Sequence, residues 1–469
     1  MSRPVQCRSL GAQPSWHELA VFDCTPCGEG WLQLPQHMKI LHTVESYLPA
    51  RHGMSEVVRQ ISERLVQRGH QVTVATSKDQ QRHDNQIEGV EIRSFDVHGK
   101  SAIGVWGDVS GYQNFLLDFN PDIIVNFAAQ QWATDLTLPL LSRLKARKVF
   151  VPTGFSALAD PMFRNYFSAM GEWMRSYDAC VFLSDSYRDI DVARSAGIES
   201  IAIIPNGAAA EEFNRLKDSG LRERLGIPAD HQLILHVAGY LSVAKGQAEA
   251  VEIFSRSSLS KATLLLVCPD FSKAATKALT PKQILKGLYH MARGKGLRGI
   301  AFPTQLQLLR RFRRKRNRAN DRQILGVSLS REDTISAFLD TDLLLFPSWI
   351  ECSPLVLFEA SAARTPFLVT DVGNASEIIR WTGGGRLLPG VRSNDREGSV
   401  QADLEAGALC LNDLMADQQV REQMATNAHE AWLRHFTWSR IAEQYEQLYR
   451  TLLANEPIQG LFPPPQSLQ

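Results

Sequence analysis

The sequence predicts an α/β protein built from two successive halves, each with a parallel sheet. Residues 39–44, a helical stripe over 54–68 and residues 71–75 make one strand–helix–strand unit. A second series begins with an apolar run at 233–239, which enters a glycine turn and a helix from about Gln247. The chain of 469 residues is long enough for two or three domains of ordinary size.

Apolar runs typical of buried strands follow one another through both halves. They fall at 39–44, 71–75, 122–127, 148–152, 179–184 and 201–207, and then at 233–239, 262–267, 324–327, 342–346 and 386–388. Pro-Asn-Gly at 205–207 is a strong turn signal between the two series. Helices are expected over 402–435, and a last helix from 436 carries a stripe of tyrosine and leucine.

Composition narrows the class of protein. Hydrophobic residues make up 44% and charged residues 22% of the chain, as in ordinary globular proteins. No run of about 18 apolar residues occurs, so we expect no transmembrane helix. The first 30 residues lack the apolar core of a signal peptide, and the seven cysteines are scattered. These features favour a cytoplasmic protein without a disulfide framework.

The segment that follows the strand at 342–346 has the features of a ligand site. Pro347 opens a loop that contains Glu351, and Ser353 is expected to cap a helix with Pro354 in its first turn. Ligands of open α/β sheets bind at the carboxyl ends of strands, and a helix amino terminus attracts anions. The plain alternative is a solvated Glu351 and, further along the helix, a salt-bridged Glu359.

The sequence of this segment resembles that of a known family. Pro-Ser-x-x-Glu, seven further residues and Glu-Ala, followed by the run 363–373, resemble the signature of the retaining glycosyl transferases group 1 family, which has the GT-B fold. The resemblance covers 38–270 and 323–455 and is strongest at 342–379. It implies two Rossmann-like domains facing a cleft, a nucleotide-sugar donor as substrate, no cofactor and no metal, and retention of anomeric configuration.

The resemblance also implies roles for the residues of this segment. Glu359 would accept hydrogen bonds from the donor ribose hydroxyls, since one carboxylate can accept from two adjacent hydroxyls. Glu351 would contact hydroxyls of the donor sugar. Backbone N–H groups near Ser353, Pro354 and Leu355 would hold the sugar or a phosphate.

A second motif follows the strand at 233–239. The family pattern is Gly-Arg, a short loop and Lys-Gly, and here Gly239, Lys245 and Gly246 keep that spacing. By the resemblance, Lys245 would neutralise the leaving diphosphate. Tyr240 stands at the arginine position, so one cation instead of two would stabilise the developing charge, with Tyr240 supplying one neutral hydrogen bond. A surface lysine is the plain alternative.

The first half matches the family less fully. A glycine-rich loop after the first strand faces the diphosphate in the family, and Gly53 followed by Met54 offers one such glycine here. A turn glycine is the alternative. The family places histidines after the strands at 122–127 and 148–152, where this chain has Ala128 to Gln130 and Thr153 to Phe155. We therefore assign no role to a histidine.

Residues 271–322 form a strongly basic insert. They carry 15 lysines and arginines against Asp321 alone, so the insert has a net charge of +14 and the rest of the chain −13. Its amphipathic stripes suit an anionic membrane surface or a lipid-linked acceptor. Another polyanion and a solvated or protein-contact face are the alternatives, and no nucleic-acid fold is recognisable.

The expected organisation is an extension over 1–37, a first Rossmann-like acceptor domain over 38–207 and a donor domain over 208–435 with its insert. A helix over 436–455 crosses back to the first domain, by the resemblance, and 456–469 form a tail. Cys24 and Cys27 make a Cys-x-x-Cys that lacks a justified pair of further zinc ligands, although His17 and His37 are near in sequence.

The sequence therefore predicts a glycosyltransferase that moves a sugar from a nucleotide-sugar to a saccharide or lipid-linked acceptor. Its expected place is the cytoplasm, with binding to the inner face of the cell membrane through 271–322. Two alternatives come from other classes of protein. The first is a non-catalytic nucleotide-sugar-binding relative, which Tyr240 and the absent histidines motivate. The second is a scaffold that binds polyanions or membranes.

Overall fold

A computed structural model of the chain describes residues 37–215, 220–271, 321–393 and 398–466, and the backbone of 314–317. The possible zinc ligands Cys24 and Cys27 and the predicted amphipathic stripes of the insert lie outside these residues. Where the structure describes the chain, strands and helices alternate through two large sheets.

The first sheet has eight strands in the order β10-β9-β8-β7-β1-β2-β4-β3. All neighbours are parallel except β3, which runs antiparallel to β4. The strands are β1 (Lys39–Thr43), β2 (Gln71–Ser77), β3 (Gln86–Ile87), β4 (Val90–Phe95), β7 (Ile123–Phe127), β8 (Arg147–Val151), β9 (Ala179–Phe182) and β10 (Ile201–Ile203). The direction of the strand order reverses at β1, which has β2 on one side and β7 on the other.

The second sheet has seven strands in the order β13-β14-β12-β11-β15-β16-β17. They are β11 (Gln232–Val237), β12 (Ala262–Val267), β13 (Arg314–Asn317), β14 (Arg322–Val327), β15 (Leu343–Phe346), β16 (Phe367–Val369) and β17 (Gly385–Leu387). Only β13 is antiparallel to its neighbour. The six parallel strands have the doubly wound order, whose direction reverses between β11 and β15. Ligands of such sheets bind where the order reverses.

Helices cover both sheets, and two short hairpins stand apart from them. The helices are α1 (Gly53–Gln67), α2 (Val109–Phe119), α3 (Trp132–Asp135), α4 (Arg164–Arg175), α5 (Arg188–Ser195), α6 (Ala210–Phe213), α7 (Gly220–Leu225), α8 (Gln247–Arg256), α9 (Arg331–Asp340), α10 (Leu355–Ala362), α11 (Ala375–Thr382), α12 (Leu404–Ala416), α13 (Gln418–Ala431) and α14 (Trp438–Leu453). The hairpins are β5 (Val97–Lys100) with β6 (Gly104–Gly107) and β18 (Gly390–Arg392) with β19 (Val400–Ala402).

Helix α14 packs on the first sheet although it follows the second in sequence. Its apolar face, including Tyr445 and Tyr449, is buried in the same core as β1 and α1. The carboxylate of Glu446 pairs with Arg68 at the end of α1. The chain after α14 stays packed, because Ile458 and Phe462 are buried in this core as well. The first half is therefore built from both ends of the sequence.

Two buried histidines predict a dependence of stability on pH. Burial lowers the pKa of His42 to about 3 and that of His236 to about 4, below the ordinary 6.5. Unfolding restores the ordinary pKa, so stability is complete above pH 6.5 and is lost as the pH falls toward the folded pKa values. Each histidine should contribute up to about 1.4 kcal/mol of loss per pH unit in that window.

Urea unfolding of the wild type and of His236→Gln between pH 7 and pH 5 measures this effect. The free energy of unfolding should fall less steeply with pH in the variant. Parallel slopes would contradict the assignment of the acid sensitivity to His236.

Candidate active site

The two motif loops leave adjacent strands where the order of the second sheet reverses. Strands β11 and β15 are paired in register, and the loops that follow them carry Lys245 and Glu351. The Nζ atom of Lys245 lies 2.8 Å from Oε1 of Glu351, and both side chains are largely buried. The structure thus brings together, in one ion pair, the two residues that the sequence proposes as catalytic.

The Glu351 loop is fixed to the Lys245 loop by hydrogen bonds. The backbone N–H of Trp349 donates to the carbonyl of Ala244 at 2.8 Å, and the Trp349 indole donates to Glu249 in α8 at 2.9 Å. The Ser348 hydroxyl lies 2.7 Å from Glu351 Oε1 and 2.9 Å from the Ala244 carbonyl. These contacts hold the Glu351 carboxylate in place. Burial also raises the pKa of Glu249, the carboxylate that accepts from the Trp349 indole, to about 7.

Two glycines let neighbouring loops approach this segment closely. Gly246 and Gly373 both adopt left-handed backbone conformations, with φ of +70° and +57°. A β-carbon on Gly246 would overlap the carbonyl of Pro347, and one on Gly373 would overlap the carbonyl of Cys352. Side chains at either position would therefore displace the loop that carries Glu351.

The start of α10 differs from the sequence prediction. The helix begins at Leu355 with Pro354 as its N-cap, and no side chain caps it. The prediction that Ser353 is the cap was wrong, because the helix starts one residue later and Ser353 lies before the cap. The buried Ser353 hydroxyl has no hydrogen-bond partner in the described part of the chain. Pro354 has no N–H, so the backbone donors at this turn come from residues on either side of it.

Glu359 lies within α10 and is almost completely buried, at 8% exposure. Its Oε1 is 2.5 Å from the Arg331 guanidinium, which also pairs with Glu212 at 2.5 Å. Burial raises the pKa of Glu359, and the charge of Arg331 opposes that rise. In the structure, Glu359 therefore forms a salt bridge, as the plain alternative in the sequence analysis expected. Its partner, Arg331, was not identified from the sequence. The signal in the sequence was the position of Arg331 in the first turn of α9. A helix amino terminus disfavours positive charge, so an arginine there indicates a carboxylate partner.

Removing the charge of Arg331 is expected to destabilise the fold strongly. Arg331→Gln leaves the buried carboxylate of Glu359 without its counter-charge and the partly buried Glu212 without its ion pair, which costs about 3–5 kcal/mol. The exposed pair of Arg224 and Asp333 in the same region is the matched control. Arg224→Gln should change the free energy of unfolding by less than about 1 kcal/mol. Equal effects of the two substitutions in chemical denaturation would contradict this account.

The first half contacts the Glu351 loop directly. The Tyr187 hydroxyl, beyond β9, donates to the backbone carbonyl of Glu351 at 2.8 Å. The Asn206 side-chain amide donates to the Ser353 carbonyl at 3.2 Å, and Gly154 packs closely against Cys352. The position of the loop therefore depends on both halves of the protein. The polar run after β9 was the only signal for Tyr187 in the sequence.

Further polar contacts join the halves beside this loop. Glu377 of α11 accepts hydrogen bonds from the Ser184 hydroxyl and, at 3.1 Å, from the Asp185 N–H. The Asn374 side chain donates to the Leu183 carbonyl at 3.0 Å. All three first-half residues follow β9, so one short segment makes most of this contact.

Gly53 and Leu355 face each other across the cleft. Gly53 is the first residue of α1, whose N-cap is His52, rather than part of a loop before the helix. A β-carbon on Gly53 would lie 3.9 Å from Leu355 Cδ1. The start of α1 and the start of α10 thus approach each other from opposite halves.

Tyr240 and Gly239 occupy the exposed side of the Lys245 loop. The Tyr240 side chain is 53% exposed, and its ring centre is 5.5 Å from the Lys245 ammonium. A β-carbon on Gly239 would meet no atom within 4 Å. Tyr240 therefore borders open space next to the ion pair.

The loops at which the family carries histidines have strained backbones here. Ala128, Gln130 and Thr153 adopt positive φ angles. The buried carboxylate of Asp189 accepts hydrogen bonds from the N–H groups of Gly154 and Ile190, and burial raises its pKa to about 6. Sequence reasoning missed Asp189, which no motif marks.

Over the described ranges, no group of three histidine, cysteine, aspartate or glutamate side chains is arranged to hold a metal ion. None of the helices within those ranges has both the length and the apolar character needed to span a bilayer.

Two family models match the chain. Glycosyltransferase Family 4 matches residues 51–212, and Glycosyl transferases group 1 matches residues 309–431. The lipopolysaccharide 1,2-N-acetylglucosaminetransferase of Salmonella typhimurium is 24% identical over 53% of this chain and 56% of its own length. The N-acetyl-alpha-D-glucosaminyl L-malate synthase of Bacillus anthracis is 23% identical over 50% of each chain. The matches span about half the length of these curated relatives.

Solved structures of low sequence identity share the fold over nearly the whole chain. Sucrose-phosphate synthase from Thermosynechococcus elongatus superposes with a TM-score of 0.65 at 17% identity, covering 90% of this chain and 100% of its own. The Anabaena protein HepE, solved in complex with UDP-glucose, superposes with a TM-score of 0.62 at 17% identity, covering 89% and 100%.

Together with the two doubly wound sheets, these matches define the class of protein: a glycosyltransferase of the GT-B fold, with two Rossmann-like domains that face a cleft. Within that class, residues 309–431, which carry Glu351 and Glu359 but not Lys245, match the model of the glycosyl transferases group 1 family. The predicted family and fold are confirmed.

Proposed function

We propose that the protein is a retaining, metal-independent hexosyltransferase that moves a sugar from a nucleotide-sugar to a saccharide or lipid-linked acceptor in glycoconjugate synthesis. The observation that carries this proposal is the 2.8 Å pair of Lys245 and Glu351 beside the start of α10. A cation, a carboxylate and a helix amino terminus meet there, where the strand order reverses. HepE was solved with UDP-glucose, which supports a nucleotide-sugar donor.

In this mechanism the donor separates the two charged side chains. Lys245 moves from Glu351 to the diphosphate and stabilises the charge that develops as the bond to the sugar breaks. Glu351 is then available to accept hydrogen bonds from hydroxyls of the donor sugar. Without donor, the ion pair keeps both charges compensated in a largely buried site.

The remaining donor contacts come from α10. Backbone donors near Ser353 and Leu355 and the dipole of α10 favour the phosphates, and the unpartnered Ser353 hydroxyl is suited to a ligand oxygen. Glu359 accepts hydrogen bonds from the ribose hydroxyls, and the charge of Arg331 favours its ionised form. Tyr240 and Gly239 border the diphosphate, and Gly53 approaches from the first half.

Product stereochemistry tests the reaction class. Proton NMR would follow the anomeric signal of the first sugar product, formed on an acceptor or on water, with and without EDTA. We expect retention of the donor configuration at an unchanged rate in EDTA. An inverted product, or activity that EDTA abolishes and a divalent cation restores, would overturn the proposal.

The basic insert is proposed to bind an anionic membrane surface at the inner face of the cell membrane. Its last arginine belongs to the fold, because Arg322 is buried in β14 and donates to the backbone carbonyl of Ser257 at 3.0 Å. A deletion of 273–312 spares Arg322 and β13. Sedimentation with phosphatidylglycerol vesicles at low and high salt should show binding that this deletion abolishes. Unchanged binding by the deletion variant would contradict the proposed role.

A further inference from the structure

Trp349 links the Glu351 loop to α8 through its side chain. Its indole N–H donates to Oε1 of Glu249 at 2.9 Å, and its backbone carbonyl accepts from the N–H of Val400 in β19 at 2.9 Å. The indole and the carboxylate that it meets are both partly buried. Two residues before Glu351, the chain is therefore held by a helix through a side chain and by a strand through its backbone.

Helix α8 is a fixed base for this contact. Glu249 lies in its first turn, where the helix dipole favours a carboxylate. The opposite face of α8 is buried in a core with β11, β12 and α12, and it consists of Ala250, Val251, Ile253 and Phe254. The position of the Glu249 carboxylate is therefore set by the core of the second sheet and not by the loop that it contacts.

Other hydrogen bonds to the Glu351 loop end beside Lys245. The Trp349 N–H and the Ser348 hydroxyl both donate to the carbonyl of Ala244, which lies with Lys245 in a single, partly exposed 3₁₀ turn. In the proposed mechanism, Lys245 leaves Glu351 for the donor diphosphate, so this turn loses its ion pair with the loop. The indole bond is anchored in α8 and does not depend on the turn.

We propose that Glu249 is a positioning residue for sugar transfer: through the Trp349 indole it keeps the Glu351 loop in place after the donor has opened the ion pair. This inference rests on the proposed function. The ionised form of Glu249 holds the indole more firmly, because a hydrogen bond to a charged acceptor is roughly twice as strong as a neutral one. Protonation weakens the bond without removing it, since the neutral carboxyl keeps an acceptor oxygen.

The ionisation of Glu249 falls near neutral pH. Burial raises its pKa to about 7, and its own N–H and the Trp349 indole act in the opposite direction. His236 of β11 is neutral in this range, because burial lowers its pKa to about 4. Other charged groups on α8, on α12 and on the two loops are paired: Arg256 with Glu252 and Glu405, and Lys245 with Glu351. Turnover should therefore rise as the pH passes through about 7 and Glu249 ionises.

Steady-state release of nucleoside diphosphate tests the role of the contact, with the full chain and the nucleotide-sugar that it turns over fastest. At pH 8, Glu249→Ala and Trp349→Phe should each lower kcat about 10- to 100-fold, the effect of losing a hydrogen bond to a charged group. KM should stay within about threefold, because the contacts to diphosphate and ribose are kept. The double variant should be no slower than the slower single variant, since both side chains act through one bond.

Two further variants separate positioning from a general effect on the fold. Glu249→Gln keeps an acceptor oxygen and should lose only about 5- to 10-fold in kcat at pH 8, the difference between a charged and a neutral hydrogen bond. Glu252→Gln, one turn further along α8 and partly exposed, is the matched control and should change neither kcat nor KM. Chemical denaturation shows whether each variant is folded under the assay conditions.

The pH profile gives a readout that needs no loss of structure. From pH 8 to pH 6 the wild-type kcat should fall about fivefold with a midpoint near 7, whereas Glu249→Gln should lack this fall. The glutamine variant keeps every other titrating group, so the difference between the two profiles belongs to Glu249.

Three results would overturn the inference. They are a fall of the same size in Glu249→Gln, additive losses of kcat in the double variant, and a kcat for Glu249→Ala close to that of the wild type. Absence of release from every donor by the wild type, even into water, would instead reject the proposed function.

Discussion

Lys245→Ala is expected to lower kcat by about 100- to 1000-fold, the effect of removing one preorganised group that stabilises developing charge. The effect should be large because Tyr240 stands where the family carries arginine, so no second cation of the motif compensates. The measurement is steady-state release of nucleoside diphosphate from the preferred donor. Lys261→Ala, which removes an exposed lysine paired with Asp230, is the control and should leave kcat unchanged.

The ion pair itself can be tested with a double-mutant cycle. Lys245→Ala leaves Glu351 without its cation, so adding Glu351→Gln should recover part of the lost stability without restoring activity. Additive losses of stability would mean that the two side chains do not interact in solution. A kcat for Lys245→Ala within threefold of the wild type would exclude Lys245 from the diphosphate site.

Gly373→Ala and Gly246→Ala are expected to reduce donor turnover at least 100-fold. Each β-carbon would overlap a backbone carbonyl of the Glu351 loop, and a misplacement of the order of 1 Å costs about that much. Each residue also has a left-handed backbone that alanine adopts at a cost of about 1–3 kcal/mol. Turnover and the free energy of unfolding measure the two contributions separately.

Gly197→Ala is the matched control for this prediction. Gly197 also has a positive φ, +69°, but a β-carbon there would meet no atom within 4 Å. It should lose stability from backbone strain alone and keep its turnover. If all three variants lost only stability, close packing of the Glu351 loop would not be needed for activity.

The sequence was sufficient to predict the fold and the proximity of the two motif loops. Parallel strands that end at one edge place the loops after β11 and β15 together, and the resemblance identified Lys245 and Glu351 within them. The structure then shows these two side chains in one ion pair. The sequence also predicts Glu359 inside the helix that is α10 here, with a salt bridge as one of its two expected roles.

Contacts between distant segments could not be predicted. Arg331, Tyr187 and Asp189 carry no motif, and their partners lie in other loops or in the other half of the chain. The prediction of Ser353 as the helix cap was wrong for a local reason. Helix ends are uncertain by a residue, and here Pro354 itself occupies the cap position. The close approach of Gly246 and Gly373 to the backbone of the Glu351 loop could not be predicted either, because folding alone brings these loops together.

The most direct test of the account is release of nucleoside diphosphate from a panel of UDP-, GDP- and ADP-sugars, with and without a lipid-extract acceptor. Glu351→Gln and Glu359→Ala are assayed beside the wild type, and donor binding is followed by calorimetry. The account predicts turnover of one donor that both substitutions abolish. Tight donor binding without release under any acceptor condition, or no donor binding at all, would contradict it.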